Sequence, residues 1–235
     1  MPRGFVSTVG SLMLVQQILL AALLADAFLV VAGVGLVPSV VESFAGAGRI
    51  VADVGLFGLV GTAAVTGPLA IRRISDVADV CLGAGAAFAL LYAVDLLLDY
   101  AGHGLGPNPV WLFVACAMLA SGWASYRTGR LSRGIAAASW SLVIGTAVWS
   151  AAMMLTSYAY WHTHHGYAFW LRDGAVADFR RSGGTNLWLF LLEDIEGAMF
   201  FHPILSVAVG ATCGAIGAVG ALIARLLLAA TVEHS

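Results

Sequence analysis

Very little of this chain could cover a soluble surface. Apolar runs at 13–37, 50–71, 77–98, 110–126, 135–158 and 198–228 are separated by short polar links. An α-helix needs about 20 apolar residues to cross the hydrocarbon of a bilayer, and these runs are of that order. In lipid, each backbone N–H and C=O must be satisfied within its own segment, so such runs fold as helices. The chain is 60% hydrophobic and 10% charged, against about 25% charged in a soluble domain. The expected fold is all-α: one polytopic transmembrane domain over residues 1–235, a helix bundle of about six spans.

The links support these boundaries. Gly67-Pro68 and Arg72-Arg73 close the second run, and Gly102 to Pro109 is a strong turn between the third and fourth. The longest polar stretch is 159–197, an outer loop within which 186–196 reads as a short interfacial helix. The last run exceeds a single span, so it tilts or begins above the bilayer. Pro203 is expected in its first turns, where proline is best tolerated.

An even number of spans puts both termini on one side. Seven arginines fall on the terminal side (Arg3, Arg72, Arg73, Arg127, Arg130, Arg133, Arg225) and four opposite (Arg49, Arg172, Arg180, Arg181). The positive-inside rule then makes both termini cytoplasmic. The expected location is the inner or plasma membrane of a bacterium. All eleven positive residues are arginine, which a GC-rich genome explains and which excludes any lysine nucleophile or Schiff base. No basic excess points to nucleic acid. Cys81, Cys116 and Cys213 lie inside apolar runs and read as small buried hydrophobes.

With this topology the outer side collects nine of the thirteen acids, namely Glu42, Asp53, Asp95, Asp99, Asp173, Asp178, Glu193, Asp194 and Glu196. An excess of this kind attracts cations. The same side holds His103, His162, His164, His165 and His202. Imidazole and carboxylate are ligands for zinc, copper or iron, so a divalent metal held by His162, His164, His165, His202 and Glu196 is one expectation. The plainer alternative is a set of interfacial polar residues on an aromatic-rich loop. Glu193, Asp194 and Glu196 also suit the N-terminus of the last helix, where its dipole favours acids.

Asp26 is the polar residue placed deepest, near the middle of the first span. An ionisable group there is costly and is a functional candidate by default. It reads either as a proton or cation relay or as a protonated acid hydrogen-bonded to Thr62 or Thr66 of the second span. Asp95, near the outer end of the third span, is the second such candidate. In the last span Ser206, Gly210, Gly214, Gly217 and Gly220 recur every three or four residues. They form a stripe where another helix can approach closely.

Three functions follow. The first is a non-catalytic membrane component or accessory subunit, its glycine stripe meeting partner helices or another copy of the chain. The second is a transporter or channel component with Asp26 in the path and the acidic outer face as vestibule. The third is a metal-binding membrane protein. The spans carry few groups able to perform bond chemistry, so an enzyme is the least favoured class.

Overall fold

The computed structural model describes residues 3–37, 61, 75–104 and 110–233. Seven helices are formed within them and no strand: α1 (Arg3–Leu36), α2 (Ala78–Tyr100), α3 (Val110–Thr128), α4 (Leu131–Ala159), α5 (His164–Asp173), α6 (Ala175–Ser182) and α7 (Leu187–Glu233). Four segments are long and apolar enough to cross a membrane: Met13–Leu36, Ala78–Tyr100, Leu131–Ala159 and Leu187–Thr231. Large apolar side chains such as Phe28, Leu90, Leu119 and Leu226 face outward, as a surface solvated by lipid requires. The expected span at 50–71 lies outside the described residues except for Gly61, which faces Leu23 of α1.

Helix α4 is the hub and packs against α1, α2, α3 and α7. Its small residues allow this: Gly134, Ala137, Ala138, Ser141 and Gly145 are all buried. The stripe on α7 meets the same helix. Ser206 Oγ lies 2.6 Å from Thr146 Oγ1. A Cβ at Gly210 would stand 2.5 Å from Ser139 Cα, and one at Gly214 2.7 Å from the Ala138 methyl. Gly217 abuts Met118 of α3, and Ser121 of α3 donates to the Gly214 carbonyl oxygen. The stripe is thus filled from within the chain as far as Gly217, and it leaves the contact at Gly220, where an added Cβ would meet nothing within 4 Å among the described residues.

The two ends of the bundle differ. At one, Arg127 grips Asp79 with both Nη atoms, at 2.5 and 2.8 Å. Arg133 lies 3.1 Å from Asp76, and Arg225 donates to the Tyr126 carbonyl at 3.0 Å. At the other end Tyr100 stacks on Phe169, with centroids 4.1 Å apart, and donates to Ser157 Oγ at 3.0 Å. Leu29, Val30, Leu96, Trp161, Trp170 and Leu191 complete that core. Helices α1, α2 and α4 therefore run from the arginine end to the aromatic end, and α3 and α7 run back.

The last helix corrects two expectations. The segment 186–196 and the last span are a single helix of 47 residues, about 70 Å long at 1.5 Å per residue. Asn186, not the acids, caps it: its Oδ1 accepts from Leu189 N at 3.2 Å. Glu193, Asp194 and Glu196 lie in the second and third turns, and Pro203 is in the interior. Helix persists through this polar stretch because Leu191, Leu192, Ile195 and Met199 recur at helical spacing and are all buried.

Candidate functional site

The site is assembled at the aromatic end by two short helices that fold back over the bundle. Thr163 starts α5 by accepting from Gly166 N at 3.1 Å. Gly174, with φ +97°, ends α5 and starts α6. Only a residue without a side-chain penalty takes that conformation easily, so the chain reverses there. Arg172 of α5 lies 3.8 Å from the Asp99 carboxylate and also donates to the Asp99 backbone oxygen. These contacts pin α5 to the end of α2.

Between them is a cavity of about 270 Å3. Asp95 and Asp99 of α2, Asp173 of α5, Asp178 of α6, and Asp194 and His202 of α7 supply its polar lining. Tyr92, Trp149, Phe169 and Trp170 supply aromatic walls. Asp178 is engaged by Arg181 on the exposed rim. Burial pushes the Asp173 carboxyl up to about 6, and the charges of Asp194 and Asp99 add to the effect. His202 donates from Nδ1 to the Ala198 carbonyl at 2.8 Å, and its ring stands edge-on to Trp149. The result is a small concave site with one sign of charge and aromatic sides.

The residues expected to bind metal are dispersed. His162, at φ 61°, is set against Trp188 with centroids 4.1 Å apart. His164 and His165 are exposed at the start of α5. His202 faces the cavity, whereas Glu196 is buried near Tyr158. Among the described residues no three His, Cys, Asp or Glu side chains are arranged to hold a metal ion. Asp95 is in the cavity wall; Asp26 is fully buried on α1 and is not part of the lining. Thr62 and Thr66, its expected partners, lie outside the described residues.

Asp99, Asp173, Asp178 and Asp194 join the site; sequence reading counted them in the acidic outer face and set Asp194 at the start of the last helix, without bringing them together. The signal was present as an excess of acid on one side, without the fold-back of α5 and α6 that gathers it. No family model matches this chain, and no curated protein or solved structure matches it.

Proposed function

We propose that this chain is a cation-binding component of a cell-membrane transport system, and that the cavity is its vestibule for a small organic ammonium ion. The carrying observation is the lining itself: five carboxyl groups and four aromatic rings around about 270 Å3. Carboxylates supply charge, and ring faces attract ammonium groups that have shed part of their water. The volume suits a small metabolite and is slightly below the usual range of ligand pockets. A bare metal ion would want three or more ligands converging on a point, and the acids here surround a space instead.

The topology belongs to the same proposal: six spans, both termini cytoplasmic, and the cavity facing outward. It is supported by the arginine distribution and by the ends of the described helices. Helix α1 finishes at the aromatic end and α2 starts at the arginine end, which suits the expected crossing by 50–71. The α7 stripe is met by α3 and α4 as far as Gly217, which supports a packing role for it within the chain.

Calorimetric titration of the protein in nanodiscs with tetramethylammonium tests the reading. Saturable binding should weaken at least tenfold, about 1.4 kcal/mol, in the double variant Asp173→Asn, Asp194→Asn. Equal binding by both proteins would defeat it. So would binding of benzoate in preference to the cation.

A further inference from the structure

Asp26 is fully buried, and both its carboxyl oxygens lack a hydrogen-bond partner among the described residues. It sits in the buried stripe of α1 between Leu19, Ala22, Leu29, Val30 and Gly33. A buried carboxyl group without a partner is strongly disfavoured in its charged form. Packing alone does not explain it, because the same stripe is otherwise apolar.

Two more buried groups, both on α4, are in the same condition. Ser150 Oγ and Tyr158 Oη are buried without a hydrogen-bond partner among the described residues. Register relates them to Asp26. A Cβ at Gly33 would run into the Tyr158 hydroxyl, so these two positions are level on parallel helices. Asp26 is seven residues before Gly33, two turns and about 10 Å, on the same face. Ser150 is eight residues before Tyr158 on α4, which places it at the level of Asp26. Near Tyr158 stands the buried Glu196 of α7. Among the described residues no charged group acts on Asp26. Buried water occupies places where several polar groups would otherwise go unsatisfied.

We propose that Asp26 is a proton-binding site, linked by bound water past Ser150 to the Tyr158 hydroxyl and Glu196 at the aromatic end. A proton enters from that end by transfer between neighbouring waters, and an Asp26 oxygen holds it. The step forms and breaks only O–H bonds and needs no co-reactant. This site is separate from the acidic cavity and does not depend on what the cavity binds.

Infrared spectroscopy of the full chain in nanodiscs, with side-chain carboxyl 13C-aspartate, tests this. At neutral pH an isotope-shifted band of a protonated aspartic carbonyl should be present and should be lost in Asp26→Asn. Asp26→Glu, which keeps the acid, should replace it with an unlabelled glutamic band and guards against a folding artefact in the first variant. After transfer to D2O the band should move, and Tyr158→Phe should slow that movement at least threefold. Absence of the band in the wild-type protein, its persistence in Asp26→Asn, or a smaller effect of Tyr158→Phe would each overturn the proposal.

Discussion

The two ends of the bundle solve opposite problems. At the arginine end two acids are each paired with an arginine: Asp79 with Arg127 and Asp76 with Arg133. Small residues such as Ala124 and Ala137 pack beneath them. At the aromatic end five aspartates converge on one cavity, where Arg172 pairs with Asp99 and Arg181 with Asp178. Large rings replace alanines there. A paired carboxylate needs nothing further. Excess charge of one sign around an enclosed space is held against its own repulsion, and a ligand of the opposite sign relieves that cost.

The comparison can be broken most severely through α7, which forms one wall of the cavity. Gly210→Leu would drive a side chain into the α4 backbone at Ser139. A loss of about 3 kcal/mol is expected, at the upper end of overpacking costs. Thermal unfolding in detergent should fall sharply, and cation binding should vanish even below the melting transition. The α2–α3 arginine contacts do not involve α7 and should persist.

Next in size is the effect of pH on the acidic end. Asp173 carries an acidity constant raised to about 6, so its charged form predominates only above that value. Ammonium binding should be full at pH 8 and weaken as pH falls through about 6. Asp173→Asn should remove that inflection from the binding profile. The stability consequence has the opposite sense. Burial and like charge penalise folded Asp173 when it is ionised, a penalty complete above about 6 and absent below the unfolded carboxyl value. Asp173→Asn should therefore raise the melting temperature at pH 8 and leave it unchanged near pH 3.

The smallest effect belongs to the matched end. Arg127 and Asp79 are both exposed enough for water to screen them, so Arg127→Gln should cost less than about 1 kcal/mol. Cation binding should not change. A larger loss of binding there than at Asp173 would erase the distinction between the ends.

Much of the fold was legible because a bilayer imposes one length and one backbone solution on each crossing. Helices α2, α3 and α4 lie within a few residues of the runs read at 77–98, 110–126 and 135–158. The joining of 186–196 to the last span was not legible. Glu193, Asp194 and Glu196 lower local hydropathy, while the buried face of Leu191, Leu192, Ile195 and Met199 carries the helix through. The site was hidden for a different reason. Three neighbouring histidines, His162, His164 and His165, drew attention by their spacing, yet sequence proximity placed them on a turn and an exposed helix start. The cavity acids are scattered from Asp95 to Asp194, and the Thr163 cap and the turn at Gly174 bring them together.

The most direct measurement is to locate a heavy analogue of the ligand. Tetramethylarsonium has the shape and charge of tetramethylammonium, and arsenic scatters anomalously. In crystals equilibrated with it at pH 8, an anomalous peak should stand inside the cavity between Trp149, Asp173 and Asp194. A peak elsewhere, or none at a concentration that saturates binding in solution, would contradict the assignment of the acidic end as a cation site.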